Sequence, residues 1–243
     1  VGVDRLSDTT MALLNYGVKS VLIEKPGGLE LNDITQLQLK AEEMGAKIFI
    51  AYNRRFYSST RKVKELIKNE GGVTSFNFEV TEWSHIIADL DKPENVLSKW
   101  FLANSTHVAD MAFFLGGKPD DICCFTAGKL DWHPSASVFS GAGRAVNGAL
   151  FNYAANWESA GRWSVEVLTR ENRYILRPME SLFVQKKGTI SQILVEIDDD
   201  IDRQFKPGLY KQVEAFLSSD TRSLCSIDEQ LAMFEIYETM ANY

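Results

Sequence analysis

Residues 21–28 read VLIEKPGG and residues 48–56 read IFIAYNRRF, and each stretch begins with a short apolar run. An apolar run of strand length that stops at polar residues is typical of a buried strand in a parallel sheet. Helical patterns precede and separate the two runs, over residues 7–17 and 32–45. Because short strands alternate with helices here, this part of the chain is predicted to belong to a doubly wound α/β sheet.

After Gly71 the pattern changes to an alternation of apolar and polar residues, which predicts half-buried strands. A helix over residues 105–115 interrupts them, and turn-like residues such as Ala142–Gly143 predict the hairpins of an antiparallel sheet. Two amphipathic helices follow the strands. The predicted strands cover residues 73–83, 122–130, 137–141, 148–157, 163–169, 173–176 and 181–186, and the last helices cover residues 208–217 and 227–240.

This change of pattern predicts two domains of different fold class. Residues 1–57 are expected to be the C-terminal portion of a doubly wound parallel sheet, and residues 58–243 an α+β domain with a large open, mainly antiparallel sheet. The C-terminal helix is expected to pack back on the first domain. The opening letters VGVD are typical of the end of a buried strand, so we expect further residues to precede Val1.

The composition argues against several classes of function. The 243 residues are 45% hydrophobic and 24% charged, and a net charge of −7 argues against a nucleic-acid partner. No apolar run approaches the roughly 20 residues of a membrane-spanning helix, so no membrane partner is predicted. Three cysteines without Cys-x-x-Cys spacing favour reduced thiols and a cytoplasmic location. The three histidines lack metal-ligand spacing, so no metal site is predicted.

Polar residues directly follow both apolar strands. Ligands of parallel α/β sheets bind beyond the carboxyl ends of the strands, which places Lys25 and Asn53 at a candidate site. A partly desolvated lysine has a lowered pKa and can act as a general acid or base, although a surface lysine before a turn fits the spacing equally well. Arg54 and Arg55 can bind phosphate or carboxylate, but for Arg55 we favour pairing with acidic residues at the domain joint.

His107 is the third candidate for chemistry. Asn104 or Ser105 is expected to cap its helix, which would place His107 in the first turn, where the helix dipole favours neutral imidazole. A lone histidine is more often structural than catalytic. Asp110 would orient His107 or would be a solvated acid of the first turn.

Together these motifs resemble a known family. The order EKPGG (24–28) after one strand, YNRRF (52–56) after the next and NSTHVAD (104–110) on a helix is similar to the Gfo/Idh/MocA oxidoreductases. That family is named for glucose–fructose oxidoreductase, inositol dehydrogenase and a rhizopine-catabolism protein. The later segments that are similar to the family's open substrate sheet are residues 148–157, 161–163 and 177–180.

The resemblance implies an NAD- or NADP-dependent dehydrogenase with a Rossmann domain, in which Lys25 and His107 are catalytic. It places Glu24, Pro26 and Asn53 at the nicotinamide, and it implies that the Lys25–Pro26 bond is commonly cis. Two departures stand out. Ala103 occupies a position where many members have an acidic residue, and none of the sixteen glycines forms the Gly-x-Gly-x-x-Gly turn for the pyrophosphate. We therefore expect these 243 residues alone to be inactive.

The predicted reaction is hydride transfer between nicotinamide and a secondary hydroxyl of a sugar, sugar nucleotide or cyclitol. We place Asn104, Arg54 and Arg162 at the substrate, with Trp163 able to stack on a sugar ring. For Arg162 a salt bridge at the rim is an equal alternative. Other tryptophans that can stack are Trp83, Trp100 and Trp157.

Two other classes of function remain open. A non-catalytic ligand-binding or regulatory protein can retain such a scaffold, and Ala103 gives that alternative some weight. A mainly structural subunit can use the open sheet to form an oligomer. An open sheet face usually needs covering, so a homodimer or homotetramer through that face is expected.

Overall fold

The computed structural model describes all 243 residues and contains two β-sheets. The smaller sheet has the order β1-β2-β11, where β1 (Ser20–Ile23) and β2 (Lys47–Ile50) are parallel. The third strand, β11 (Cys225–Ser226), returns from the end of the chain and pairs antiparallel with β2. The predicted parallel pair is therefore confirmed, while β11 was not predicted.

The larger sheet has eight strands in the order β10-β9-β8-β7-β3-β6-β5-β4, and only the pair β3–β6 is parallel. The predicted fold class, part of a doubly wound sheet followed by a large open and mainly antiparallel sheet, is confirmed. The strands are β3 (Ser75–Glu79), β4 (Pro119–Ala127), β5 (Val138–Ala145), β6 (Leu150–Asn156), β7 (Ser164–Leu168), β8 (Asn172–Leu176), β9 (Phe183–Lys186) and β10 (Gln192–Leu194).

Nine α-helices surround the sheets, and none of them combines the length and the apolar character that a membrane crossing requires. They are α1 (Leu6–Asn15), α2 (Leu31–Met44), α3 (Ser58–Asn69), α4 (Ser84–Ile87), α5 (Glu94–Leu97), α6 (Thr106–Gly116), α7 (Asp200–Gln204), α8 (Leu209–Leu217) and α9 (Ile227–Ala241). Short 3-10 helices cover Val3–Arg5, Asn53–Phe56 and Thr221–Ser223, and Phe101–Ser105 form a π-helical turn.

The hairpin turn predicted at Ala142–Gly143 is wrong, because both residues lie inside β5. Gly143 allows close strand packing instead. A Cβ at this position would lie 2.1 Å from the carbonyl oxygen of Asp121 on β4 and 2.6 Å from the Phe151 ring. The chain turns later, where Gly148 has a φ of +85°.

Helix α6 is buried on nearly all sides against the large sheet. Its apolar residues contact β3 and β7, and the Phe113 ring packs edge-on against those of Phe76, Phe78 and Phe151, with centroids 5.3–6.0 Å away. Such edge-to-face contacts add to the stabilisation from buried area. The packing fixes the position and rotation of α6, and with them the direction of its polar side chains.

A buried ion pair joins the smaller sheet to α6. Arg55, which follows β2, donates to both carboxylate oxygens of Asp110, at 2.8 Å and 2.5 Å, and to Glu229 on α9 at 3.0 Å. The predicted pairing of Arg55 with acidic residues is confirmed. Both expectations for Asp110 are wrong, because its carboxylate is buried and bound to Arg55 rather than solvated or bound to His107.

Helix α9 contacts α2 and β2 and so connects the end of the chain to the smaller sheet. The side chain of Ser226 caps it by accepting a hydrogen bond from the amide of Glu229 at 3.1 Å. A division of the chain into domains at residue 57 stays a prediction.

We expect Arg55→Met to lower the free energy of unfolding by about 3–5 kcal/mol, because the substitution leaves a buried carboxylate without its partner. The double variant Arg55→Met/Asp110→Leu removes both charges and should recover most of that loss. Urea unfolding followed by circular dichroism measures both values. A single-variant loss of less than about 1 kcal/mol, the size expected for a surface pair, would contradict this account of the joint.

Candidate active site

Lys25 lies at the carboxyl end of β1, and its side chain is buried. Its ammonium group donates a hydrogen bond to the carbonyl oxygen of Ala103. The Lys25–Pro26 peptide bond is cis, as the resemblance implies. The side chain of Gln230 on α9 donates to the carbonyl oxygen of Pro26 at 2.9 Å, so the C-terminal helix helps to hold this turn.

The environment of Lys25 favours its neutral form. Burial, followed by the positive charge of Arg54, lowers the pKa of the Lys25 amine to about 8, although Glu24 and Glu82 act in the opposite direction. A lysine with a pKa near the working pH can accept a proton and give it back. The expectation of a partly desolvated lysine at this edge therefore agrees with the structure.

The helix that carries His107 begins earlier than predicted. The π-helical turn Phe101–Ser105 continues directly into α6, so neither Asn104 nor Ser105 caps the helix. Both side chains instead donate to Oε1 of Glu82, at 2.9 Å and 2.8 Å, because that buried carboxylate needs donors. Helical turns of the π type are frequent at functional sites.

His107 follows Ala103 by four residues, which places its side chain one helical turn beyond the carbonyl group that binds Lys25. The imidazole is 9% exposed, and its Nδ1 atom is buried without a hydrogen-bond partner. The Tyr52 ring approaches it edge-on, with centroids 6.0 Å apart. Buried polar atoms usually have a hydrogen-bond partner, so this unpaired nitrogen is an exception in the protein.

His107 is held neutral chiefly by burial, which lowers its pKa well below the usual value; the charge of Lys25 is the next cause. Weaker contributions come from Arg54 and Lys206. The direction of this shift agrees with the expected neutral imidazole, and its causes are burial and nearby positive charge. A contribution from the helix dipole stays a prediction.

Glu82 is a site residue that the sequence did not reveal. Burial raises its pKa, while Ser105 and Asn104 lower it by hydrogen bonding and Arg162 lies 3.5 Å away. The alternating pattern predicted a strand over residues 73–83 but gave no sign that Glu82 belongs to a site. In the structure β3 ends at Glu79. Asn104, a predicted substrate residue, is therefore bound to this carboxylate.

Arg54, Arg162 and Trp163, the other predicted substrate residues, lie together. They line a cleft of about 260 Å³, and Pro178 also contributes to its lining. The remaining residues that line this cleft, which we call the Arg54 cleft, are Arg177, Met179 and Glu180. Arg162 also forms a salt bridge with Glu82, which was the alternative role predicted for it.

Of the four tryptophans considered for stacking, Trp100, Trp157 and Trp163 are all buried. Trp157 is 1% exposed and donates through its indole nitrogen to the carbonyl oxygen of Val80 at 3.1 Å. Trp100 is buried beside Trp132, with ring centroids 6.4 Å apart. Trp83 is 49% exposed, and it contacts the same arginine as Trp163 does.

The predicted nicotinamide residues lie at the expected edge of the small sheet. Ile23 of β1 pairs in register with Ile50 of β2, so Glu24 and Asn53 follow neighbouring strand ends. Glu24 is exposed, whereas Asn53 is buried and donates through its amide to the carbonyl oxygen of Pro207 at 2.9 Å. The cofactor roles of Glu24, Pro26 and Asn53 stay predictions.

A comparison with protein-family models gives no match, and a comparison with curated proteins gives none either. Solved structures, in contrast, are similar over the whole chain. A structure described as a putative NADPH-dependent oxidoreductase from Desulfitobacterium hafniense has a TM-score of 0.80 at 14% identity, over 100% of this chain and 75% of that one.

Two further structures are similar to the same degree. An inositol dehydrogenase homolog from Azotobacter vinelandii, complexed with NADH and myo-inositol, has a TM-score of 0.77 at 13% identity, over 100% of this chain and 73% of its own. The UDP-N-acetylglucosamine 3-dehydrogenase from Acidithiobacillus ferrooxidans has a TM-score of 0.75 at 15% identity, over 98% and 74%. At such identities the likeness establishes the fold, and the fold that the resemblance implies is confirmed.

Proposed function

We propose that the protein is an NAD- or NADP-dependent oxidoreductase that acts on a secondary hydroxyl of a sugar, sugar nucleotide or cyclitol. The observation that carries this proposal is the contact between Lys25 and the helix of His107: the buried Lys25 amine donates to the carbonyl oxygen of Ala103, four residues before His107, and both side chains have lowered pKa values. The similar structures support it, since their names describe an NADPH-dependent oxidoreductase, a sugar-nucleotide dehydrogenase and an inositol dehydrogenase homolog complexed with NADH.

The residues at this edge fit the nicotinamide end of such a cofactor. The strand ends that carry Glu24, Pro26 and Asn53 are adjacent, and Lys25 between Glu24 and Pro26 contacts the turn that precedes His107. We propose these three residues as the nicotinamide contacts. When bound, the nicotinamide ring supplies the hydride acceptor or donor.

The protein's own task is to move one proton. We propose that neutral Lys25, His107 or both accept the proton of the substrate hydroxyl while its carbon loses hydride, and return it in the reverse reaction. The carbonyl oxygen of Ala103 then accepts a hydrogen bond from the ammonium form of Lys25. This backbone acceptor occurs at a position where many members of the resembled family have an acidic side chain. Asn104, Arg54, Arg162 and Trp163 are proposed to position the substrate.

Ala103 also favours one competing function, a non-catalytic ligand-binding or regulatory protein. Such a protein would bind NAD(H) without any turnover of sugars or polyols. A purely structural subunit would bind no nucleotide at all. Quenching of tryptophan fluorescence by NADH, together with turnover of a polyol panel by the full-length protein, separates these three alternatives.

In the full-length protein, Lys25→Ala is expected to lower kcat for alcohol oxidation by about 10²-fold or more, because positioned proton transfer contributes about 10²–10⁴-fold. The wild-type rate should rise as the pH increases through about 8, where the Lys25 amine becomes neutral. His107→Ala should be less severe if Lys25 alone can accept the proton. Steady-state kinetics from pH 6 to 10 measure both effects, and an unchanged rate for Lys25→Ala would remove this residue from the mechanism.

We also propose a homodimer or homotetramer that forms through the open face of the large sheet. On that face Phe125 is 67% exposed, and its neighbours in register are the small residues Ser140 and Ala154. A flat surface of small side chains around one large apolar group is suited to sheet-on-sheet packing.

The three cysteines form no disulfide, which supports the proposal of a reducing, cytoplasmic location.

Phe125→Glu should convert the oligomer to a monomer without loss of thermal stability, because it introduces a charge into the proposed interface but not into the core. Sedimentation velocity gives the mass of each species. Ile190→Glu is the matched control, since Ile190 is 93% exposed and lies outside the strands of the sheet. A monomeric wild-type protein, or a Phe125→Glu variant with the wild-type mass, would argue against this interface.

A further inference from the structure

The guanidinium group of Arg54 has no partner in the protein. It makes no hydrogen bond and no ion pair, and its Nε atom is buried without an acceptor. Burial lowers the pKa of Arg54, which shows that the charged form is poorly compensated. A half-buried cation normally has a counter-charge, because removing it from water costs several kcal/mol.

Aromatic rings hold this guanidinium in place. Its central carbon lies 4.6 Å from the centroid of the Trp163 ring and 5.9 Å from that of Tyr57. Arg162 contacts the same Trp163 ring at 4.3 Å. Stacking of this kind fixes the plane of a guanidinium while its N–H groups stay free to donate, which is the arrangement that binds a carboxylate or phosphate in bidentate fashion.

The acidic residues nearby do not neutralise the Arg54 cleft. Glu82 lies 3.5 Å from Arg162, and Glu79 lies 3.7 Å from Arg177, so each of these arginines already has one distant acid. Glu180 lines the cleft but is exposed, and neither it nor Glu82 comes within 4.0 Å of the Arg54 nitrogens. The guanidinium of Arg54 is therefore left without a direct counter-ion, although Glu180 and Glu82 act on its charge at longer range.

The Arg54 cleft is linked by contacts to the candidate catalytic residues. Glu82, which lies 3.5 Å from Arg162 of the cleft, accepts hydrogen bonds from Asn104 and Ser105, in the same turn as the Ala103 carbonyl group that binds Lys25. In agreement with this arrangement, the charge of Arg54 lowers the pKa of Lys25 and that of His107. A sugar whose reacting hydroxyl lies at Lys25 can therefore place another substituent at Arg54.

We propose that the Arg54 cleft binds a carboxylate or phosphate group of the substrate, so that the enzyme acts on acidic sugars in preference to neutral polyols. This inference rests on the proposed function and specifies its substrate class. The cleft volume of about 260 Å³ accommodates such a group with part of a sugar ring. A bound anion would also offset the charge of Arg54, and Lys25 and His107 would then become more basic only when the correct substrate is present.

The test compares acidic sugars with their neutral counterparts on the full-length protein in the presence of NADH. The probes are D-glucuronate, D-galacturonate and D-glucose 6-phosphate, each measured against D-glucose or D-galactose by isothermal titration calorimetry. Wild-type protein should bind at least one acid about tenfold or more tightly than its neutral counterpart, the effect of a hydrogen-bonded ion pair. Preference for the uronates or for the phosphate identifies which anion the cleft takes.

Arg54→Gln should reduce that preference to less than about twofold, because the ratio of acid to neutral binding reports the ionic contribution that is lost. Arg54→Lys keeps the charge without the planar fork and should be intermediate. Arg222→Gln is the matched control, since Arg222 is an exposed arginine that pairs with Asp220 and does not line the Arg54 cleft. Equal binding of acids and neutral sugars by the wild type, or a preference that survives in a folded Arg54→Gln variant, would overturn the inference.

The two proposals fail in different ways. Nicotinamide-dependent oxidation of neutral polyols without any preference for acids would leave the proposed function intact and eliminate the anion site. Arg54-dependent binding of an acid, without oxidation by either NAD or NADP, would support the anion site and contradict the proposed function.

Discussion

The candidate site depends on one hydrogen bond, from the ammonium group of Lys25 to the carbonyl oxygen of Ala103. It joins the end of β1 to the π-helical turn before α6 and thereby brings together two segments that are 78 residues apart in the chain. A buried ammonium group is costly unless it has a partner; the carbonyl oxygen of Ala103 provides one, and burial still lowers the pKa of Lys25 to about 8. The same contact places His107 one turn away, so the electrostatics of the two residues cannot be separated.

Much of this arrangement can be predicted from local sequence. Apolar strands that stop at Glu24 and Ala51 predict a parallel pair, and in such a pair the residues that follow each strand share one edge. That reasoning alone brings Lys25 near Asn53 and Arg54. The position of His107 on a helix is equally readable, although the spacing does not predict that the helix starts at Phe101 with a π-helical turn.

Other parts of the site arise from contacts between distant segments, for which local periodicity carries no signal. Glu82 lies beyond the end of β3 in a run of buried residues, and Lys206 lies in a loop before α8. Helix α3, in contrast, does carry a local signal, because its buried residues Thr60, Val63 and Ile67 have helical spacing. Only two of those three are apolar, which weakens the pattern that would have predicted it.

The central claim is that the amine of residue 25 and the imidazole of residue 107 occupy one cleft, and a titration of His107 by NMR in ¹⁵N-histidine-labelled protein tests it most directly. In the wild type the imidazole should stay neutral well below pH 6.5, and in Lys25→Met its pKa should rise because a nearby positive charge is removed. Lys187→Met, at an exposed position of the large-sheet domain, should leave it unchanged. A His107 pKa that is the same in Lys25→Met as in the wild type would contradict the shared cleft.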